Sequence, residues 1–384
     1  MLFIPIEAHR LSLFMLMGAT VRTATSHWLF AARGGIVAGV ATLAQHIGKG
    51  NQMRSTFVGL SFCCLFALGC SNSKVEPSAE SGPKKLRIAV IPKGTSHSFW
   101  KSIHAGAAKA EKEFGDVTIL WKGPPAEDNR TEQINIIDNF VTNQVDGIVL
   151  APLDRTAVVK PVDTAMAKKI PVVIVDSGLD SENITSYIST DNYNGGKVAA
   201  EYMGKLLGGK GNVIVLRYQV GSESTEQREK GFLETIAKEF PDIKIISSEQ
   251  YAGATQPSAL AQAENLLTRF KGEVNGWFCP CEPVTAGTAQ AVKNAGLNGQ
   301  IKIVGFDAGP DVIVAMREGV VHGLVMQDPI NMGYLGVKNA RAAAKGETVE
   351  KRVSTGEFLV TPENMNEERS KELHSPDLAK WLGE

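Results

Sequence analysis

Several polar side chains stand directly after short apolar runs of this sequence. Asp176 follows Val-Val-Ile-Val, and Asp307 follows Val-Gly-Phe. Gln327 follows Leu-Val-Met, and Arg228 opens a helical pattern after a turn of small and polar residues. Carboxylates, amides and guanidinium groups make several hydrogen bonds in fixed directions, so together they suit a small molecule that is rich in hydroxyl groups.

An aromatic pair, Phe99 and Trp100, follows His97 shortly after the first apolar run of the sequence. Aromatic faces pack well against C–H groups, such as those on one face of a sugar ring. Adjacent residues of a helix do not share one face, so we expect one of the two rings to face a ligand.

Structural roles remain alternatives for several of these residues. Phe99 is as well suited to a core as to a ligand contact. An Asp at the end of a strand often caps the next helix, which applies to Asp176 and Asp307. Arg228 is also compatible with a solvated position on a helix, and His97 with a surface position.

Short apolar runs alternate with longer amphipathic patterns from residue 84 onward. The run at 172–175 is apolar on both faces, which is typical of a central parallel strand. Such alternation predicts an α/β fold, and two series of runs predict two similar Rossmann-like lobes with parallel sheets. Ligands of these sheets bind beyond the carboxyl ends of the strands, where the polar residues stand. We therefore expect the polar residues to converge on a cleft between the lobes.

Three crossovers are predicted to join the lobes and to act as hinges when they close. They are placed near Ser189–Asn192, Gln327–Pro329 and Glu347–Val353. The predicted boundaries are 84–189 with 328–347 for the first lobe, 190–327 with 350–362 for the second lobe, and 363–384 for a C-terminal tail.

The N-terminal segment, residues 1–69, has the pattern of a targeting sequence. Met53-Arg54 precedes an apolar stretch at 57–68, and Gly69 with other small residues follows. A short basic region, an apolar core and small residues form a secretory signal. The apolar stretch is too short for a helix that spans a bilayer, which needs about 20 residues.

Cys70 comes directly after Ala-Leu-Gly, in a sequence that resembles a bacterial lipobox. In such signals the cysteine is diacylated, and two acyl chains anchor a protein stably to a membrane. An ordinary signal with an incidental cysteine is the alternative. Residues 70–83 then form a flexible tether. We interpret Met53 as the start and 1–52 as an upstream extension, with a membrane-lying segment as the alternative.

Composition and missing motifs exclude several classes of protein. The 384 residues carry 40 Lys and Arg against 41 Asp and Glu, so no basic excess points to nucleic acid. The five cysteines lack the spacing of a disulfide framework or a zinc site. The chain has no glycine-rich dinucleotide motif, Walker motif or nucleophile elbow. We expect no cofactor, no metal and no enzymatic activity.

The order of the motifs resembles that of a known family. They are Phe99-Trp100, Pro-Val-Val-Ile-Val-Asp at 171–176, Ser-Thr-Asp-Asn at 189–192 before Gly195-Gly196, Arg228-Glu229-Lys230-Gly231-Phe232, Val-Gly-Phe-Asp at 304–307, and Gln327-Asp328. Over residues 84–362 the chain resembles the periplasmic sugar-binding proteins of the ribose- and galactose-binding type, the type I solute-binding proteins of ABC transporters.

The resemblance implies a binding role for each matching residue. Phe99 and Trp100 would stack on a sugar ring. Asp176, Arg228, Asp307 and Gln327 would bind hydroxyl groups. His97 falls where the ribose-binding branch has an Asn, and Ser177 where it has an Arg.

One departure from the family lies at Cys281, which falls where a ligand-binding Asn is usual. Cysteine is a poor substitute for an amide in hydrogen bonding. Three interpretations follow: the contact is lost, Glu282 takes it over, or the ligand differs there. Cys279 is two residues away, too close for an unstrained disulfide, so both are expected to be free thiols, with a packing role as the alternative for Cys279.

The implied function is that of the substrate-binding component of an ABC transporter. It would capture a monosaccharide or polyol and present it to the membrane permease. We expect an exported monomer, held at a bacterial membrane by the lipid on Cys70, with no nucleic-acid partner. A lipoprotein sensor that feeds a membrane receptor is the main alternative. A Rossmann-type oxidoreductase is less well supported, because its glycine motif is missing.

Overall fold

A computed structural model describes residues 84–383, which fold into two sheets flanked by helices. The strands are β1 (Leu86–Ile91), β2 (Val117–Trp121), β3 (Gly147–Leu150), β4 (Val172–Val175), β5 (Ser186–Ser189), β6 (Gly211–Val215), β7 (Ile243–Ser247), β8 (Gly276–Cys279), β9 (Lys302–Phe306), β10 (Val321–Met326), β11 (Arg352–Ser354) and β12 (Phe358–Val360). The helices are α1 (Ser98–Phe114), α2 (Arg130–Thr142), α3 (Val159–Ala167), α4 (Asn192–Leu206), α5 (Glu223–Glu239), α6 (Gln256–Arg269), α7 (Glu282–Asn294), α8 (Pro310–Arg317), α9 (Pro329–Ala344), α10 (Glu368–His374) and α11 (Ala379–Leu382).

The two sheets have equivalent strand orders. The first runs β11-β5-β4-β3-β1-β2 and the second runs β12-β10-β9-β8-β6-β7. The pairings are parallel except that β12 runs antiparallel to β10. Central strands such as β3 and β4 are buried along their whole length, as apolar strands covered by helices on both faces must be. The predicted fold class of two similar α/β lobes is confirmed.

Two crossovers enter helices that are capped by aspartates. Asp191 accepts a hydrogen bond from the N–H of Asn194 at the start of α4. Asp328 accepts one from the N–H of Asn331 at the start of α9. Capping satisfies a backbone donor that a helix leaves free at its N-terminus, so each helix begins directly after its crossover.

The third crossover lies outside the stretch predicted for it. Residues 352–354 form β11, which pairs in parallel with β5 of the first sheet. The prediction of a crossover at Glu347–Val353, and of residues 350–354 in the second lobe, is therefore wrong. The chain crosses at 355–357, between β11 and β12. The strand has three residues, and one apolar side chain among them gives no recognisable strand pattern.

Glycines allow the helices of each lobe to cross in backbone contact. A Cβ on Gly196 of α4 would lie 2.0 Å from the carbonyl oxygen of Arg228 in α5. A Cβ on Gly231 of α5 would lie 2.1 Å from the carbonyl oxygen of Tyr193. Gly106 holds α1 against α9 in the same way. Close contact between α4 and α5 fixes Arg228 beside the first crossover.

The C-terminal tail bridges the two lobes. Leu373 of α10 is buried in the core of the second lobe, together with Met365. Trp381 of α11 lies against α1 of the first lobe, with the ammonium groups of Lys109 and Lys112 5.8 and 5.7 Å from its ring centroid. The tail therefore adds a contact across the cleft that the sequence did not indicate.

The N-terminal predictions, namely the signal at 53–69, Cys70 and the tether, lie outside the described residues. Within residues 84–383, no helix combines the length and apolar character needed to cross a membrane.

We expect Gly196→Ala to lower the melting temperature of the protein. The added methyl group overlaps the backbone of α5, and overpacking of this kind costs roughly 1–3 kcal/mol or more. Lys205→Ala, at an exposed position of the same helix, serves as the matched control. Equal melting temperatures for the two variants in thermal unfolding would contradict the predicted backbone contact.

Candidate ligand-binding site

A cavity of about 40 Å³ lies between the two lobes, at the carboxyl ends of the strands. A water molecule needs roughly 10–15 Å³ of such space, so the cavity has room for only a few water molecules. The lobes are thus closed, and the cavity has no room for a molecule of monosaccharide size. The cavity is lined by Lys93, His97, Phe99, Trp100, Glu127, Asp176, Tyr218, Ser222, Ser224, Thr225, Arg228, Cys281, Glu282, Pro283, Asp307 and Gln327.

Eight of the nine residues predicted from the sequence line this cavity. The exception is Ser177, which is fully buried behind the wall. Its hydroxyl accepts a hydrogen bond from the backbone N–H of Ser224, 3.1 Å away in the other lobe. Ser177 thus joins the lobes instead of facing the cavity. The binding roles of the other eight residues stay predictions.

Asp176 and Asp307 occupy equivalent positions in the two lobes. Asp176 follows β4 with a φ of 65°, and Asp307 follows β9 with a φ of 59°. Positive φ costs a non-glycine residue about 1–2 kcal/mol, and Asp is one of the few that adopt it. α8 is capped by Gly309, and no helix follows Asp176 before β5. The capping alternative is therefore wrong for both aspartates.

A buried cation stands beside Asp176. The ammonium group of Lys93 lies 2.8 Å from Oδ2 of Asp176, and both side chains are almost completely buried. Lys93 also donates a hydrogen bond to the hydroxyl of Ser224, 3.1 Å away in the second lobe. The ion pair compensates two charges that would each be costly to bury alone.

Arg228 supplies the corresponding cation of the second lobe. Its Nε donates to Oδ1 of Asn192 at 2.9 Å, and its Nη1 donates to the carbonyl oxygen of Pro280 at 3.0 Å. Nη1 also lies 3.6 Å from Oδ2 of Asp307. Only 2% of the residue is exposed, so the alternative of a solvated helix residue is wrong.

Apart from Oδ2 of Asp176, which is ion-paired with Lys93, two polar atoms of the cavity wall lack a hydrogen-bond partner among residues 84–383. They are Nη2 of Arg228 and Oγ of Ser222, and both residues are buried. An unsatisfied buried polar group costs about 1–3 kcal/mol, so native proteins rarely leave one without reason. Both atoms are available for a ligand in this cavity.

Phe99 and Trp100 both line the cavity, with ring centroids 4.9 Å apart and planes at 89°. Trp100 is held in place because its Nε1 donates to Oε1 of Glu127 at 2.8 Å. Oε2 of Glu127 accepts a hydrogen bond from the hydroxyl of Tyr218, also at 2.8 Å. Burial and the nearby Glu127 raise the pKa of Tyr218, so its hydroxyl stays protonated and donates.

His97 stands between carboxylates of the two lobes. Its Nδ1 lies 3.4 Å from Oε1 of Glu127 and 3.4 Å from Oε2 of Glu282. Burial raises the pKa of Glu282, with His97 opposing the effect and Asp307 adding to it. Burial likewise raises the pKa of Asp307, although Arg228 favours its ionised form. Carboxyl groups of both lobes are thus concentrated in this part of the closed cavity, where burial favours their protonated forms.

The crossovers are hydrogen-bonded to the cavity wall. Thr190 donates from Oγ1 to Oε1 of Gln327, and Nε2 of Gln327 donates to Oδ1 of Asp307, each at 2.9 Å. Gln327 therefore connects two crossovers and one cavity carboxylate.

Contacts between the lobes are largely polar. The backbone N–H of Arg155 donates to the carbonyl oxygen of Gly221 at 2.9 Å. Nη2 of Arg130 donates to the carbonyl oxygen of Val220 at 2.7 Å. Water can replace hydrogen bonds of this kind, so their net contribution to holding the lobes together is modest.

Cys281 lies in the cavity wall as a free, buried thiol. Burial raises its pKa well above the usual value, and the nearby Glu127 adds to the effect. Cys279 is buried in the core of the second lobe, where burial raises its pKa to about 12. The interpretation of both cysteines as free thiols is confirmed. Glu282 lines the cavity beside Cys281. This position is the one that Glu282 needs if it takes over the ligand contact expected at Cys281.

Some residues of the cavity were missed in the sequence, although they follow the same rule of position. Lys93 stands two residues after β1, Glu127 lies in the loop after β2, and Tyr218 follows β6. All are polar groups beyond the carboxyl ends of strands. The sequence offered no signal for which residue of each loop faces the cavity. The remaining unpredicted residues are Ser222, Ser224, Thr225 and Pro283.

We expect Lys93→Met to destabilise the protein strongly. The change leaves the Asp176 carboxylate buried without its cation, which costs about 3–5 kcal/mol. Arg352→Met is the control, because it breaks an exposed ion pair with Glu182 worth about 1 kcal/mol or less. Urea denaturation measures both free energies of unfolding. A free energy of unfolding for Lys93→Met within about 1 kcal/mol of that for Arg352→Met would contradict the stabilising role of the buried ion pair.

Comparisons with known proteins agree on one family. A family model described as a periplasmic binding protein domain matches residues 88–348. The D-allose-binding periplasmic protein of Escherichia coli K12 is 30% identical over 258 residues, which cover 65% of this chain and 82% of that protein. A ribose import binding protein of Haemophilus influenzae is 29% identical over 266 residues, covering 69% and 88%.

Solved structures show the same fold. A carbohydrate transporter solute-binding protein from Agrobacterium radiobacter, crystallised in complex with D-arabinose, is 34% identical with a TM-score of 0.72. The match covers 75% of this chain and 98% of that protein. The family match at residues 88–348 includes every residue that lines the cavity.

Proposed function

This chain belongs to the type I periplasmic binding proteins, and we propose on that premise that it captures a monosaccharide or polyol for an ABC transporter. Proteins of this family bind and release small solutes outside the cytoplasm and are not enzymes. The observation that carries the proposal is the pair of unpartnered polar atoms, on Arg228 and Ser222, buried in a cavity between two lobes.

The cavity wall has the chemistry that a polyhydroxylated ligand needs. Nη2 of Arg228 donates to a ligand oxygen, while Asp176 and Asp307 accept from hydroxyl groups. Phe99 and Trp100 offer apolar surface to C–H groups. Relatives named for D-allose and ribose, and a structure with D-arabinose, support a ligand of this class.

Closure of the lobes is the functional event. A cavity of about 40 Å³ is too small for free exchange, so ligand enters an open form and is released from one. Removal of water strengthens each polar contact with the bound solute. The permease then receives the liganded, closed protein.

Binding of a neutral saccharide is tested with the purified full chain. We expect at least one of D-arabinose, D-allose, D-ribose and xylitol to raise the melting temperature, with a dissociation constant around micromolar in calorimetry. Arg228→Lys keeps the positive charge but loses the unpartnered Nη2, so affinity falls about tenfold or more.

Arg217→Lys is the matched control for this variant, since Arg217 pairs with Glu229 and does not line the cavity. We expect Arg217→Lys to bind the saccharide with the same affinity as the unchanged protein. Unaltered binding by Arg228→Lys would show that the ligand lies elsewhere. If no member of a wide panel of saccharides and polyols bound to the protein, the proposed function would be refuted.

Anchoring to a membrane is a further part of the proposal, and it depends on the sequence alone. Cys70 follows Ala-Leu-Gly after the apolar stretch at 57–68, and two acyl chains there give stable attachment. Cys70→Ser then moves the exported protein from the membrane fraction to the soluble periplasmic or extracellular fraction. An unchanged distribution after cell fractionation would contradict the lipid anchor.

A further inference from the structure

Negatively charged side chains outnumber permanent cations in the cavity wall. Four carboxylates face two cationic side chains and one imidazole. The carboxylates belong to Glu127, Asp176, Glu282 and Asp307; the cations are Lys93 and Arg228, and the imidazole is His97. A neutral sugar brings no charge to correct this imbalance.

Each lobe balances one of its own carboxylates. Lys93 lies 2.8 Å from Asp176 in the first lobe, and Arg228 lies 3.6 Å from Asp307 in the second lobe. These pairs account for both permanent cations. Glu127 of the first lobe and Glu282 of the second therefore remain without a lysine or arginine partner among the described residues.

One imidazole cannot balance both of these carboxylates. Nδ1 of His97 lies 3.4 Å from each, and it carries at most one proton. With all four carboxyl groups ionised, even a protonated His97 leaves one negative charge in the closed cavity. Glu127 also accepts hydrogen bonds from Trp100 and Tyr218, but these neutral donors do not cancel its charge.

Closure itself creates the imbalance. Glu127 and Glu282 come from different lobes, so the two carboxylates approach each other only when the lobes meet. Like charges brought together in a poorly solvated site repel strongly, and the raised pKa of Glu282 follows from burial and from these neighbours. A cation bound between them would remove the repulsion and favour the closed form.

We propose that the ligand carries a protonated amino group as well as hydroxyls, as an amino sugar or amino polyol does. Its ammonium group lies between Glu127 and Glu282 near His97, where carboxylates of both lobes receive its three donors. Its hydroxyl oxygens lie toward Nη2 of Arg228 and Oγ of Ser222, the unpartnered atoms of the wall. The inference rests on the proposed function, because it assigns the ligand class of the same cavity.

Matched pairs of ligands test this inference by calorimetry at neutral pH. The probes are D-glucosamine, D-galactosamine and D-mannosamine, each compared with its parent hexose and with its N-acetyl derivative. We expect at least one amine to bind ten times or more as tightly as both of its uncharged counterparts. The N-acetyl compound keeps the nitrogen but removes the charge, so it separates charge from shape.

Glu282→Gln provides the complementary test. Glu282 is partly exposed at the cavity wall, so the variant is expected to fold, which its melting temperature checks. It should lose ten-fold or more in affinity for the amine and keep or gain affinity for the parent hexose. Glu318→Gln, which removes an exposed carboxylate paired with Lys293, is the control and leaves both affinities unchanged.

The outcomes separate this inference from the proposed function. Uncharged saccharides or polyols that bind as tightly as every amine, or that bind when no amine does, overturn the amino-group proposal and leave the saccharide function standing. Failure of all charged and uncharged probes, including the pentoses and xylitol, overturns both. An amine preference that survives Glu282→Gln also overturns the assigned position of the ammonium group.

Discussion

The burial of charge between two closing lobes is the constraint on which the rest of this structure depends. Each lobe places an aspartate after a central strand, in a left-handed backbone conformation, and pairs it with a buried cation. The positive φ is unfavourable at both equivalent positions, and backbone strain of this kind is typical of functional sites. A wall of this kind is stable when closed only if its charges are balanced from within or by a ligand.

The surrounding fold fixes the elements that carry that wall. Backbone contacts at Gly196 and Gly231 fix the helix that carries Arg228. The hydrogen bonds of Gln327 connect the wall to two crossovers. Polar contacts between the lobes exchange readily with water, whereas Trp381 of the tail lies against α1 across the cleft. The tail thus adds a contact between the lobes beyond those of the crossovers.

Much of the architecture was predictable because it depends on local pattern. Buried runs such as Val172–Val175 are too apolar for any place but a central strand. The short strand at Arg352–Ser354 was missed for the opposite reason: its pairing with β5, not its composition, makes it a strand. Ser177 was misplaced because its neighbour from the other lobe, Ser224, was not visible in the sequence.

The sequence by itself determined the two α/β lobes. It also indicated that most of the predicted binding residues lie at one cavity, because strand ends in parallel sheets meet at one edge. Only the tertiary structure decided which loop residues line the cavity beside the predicted residues. Glu127 faces the cavity because Tyr218, far away in the chain, donates to it from the other lobe. Lys93 is ordered by Asp176 and Ser224 in the same way. The direction of a loop side chain is set by such remote partners, which no local pattern encodes.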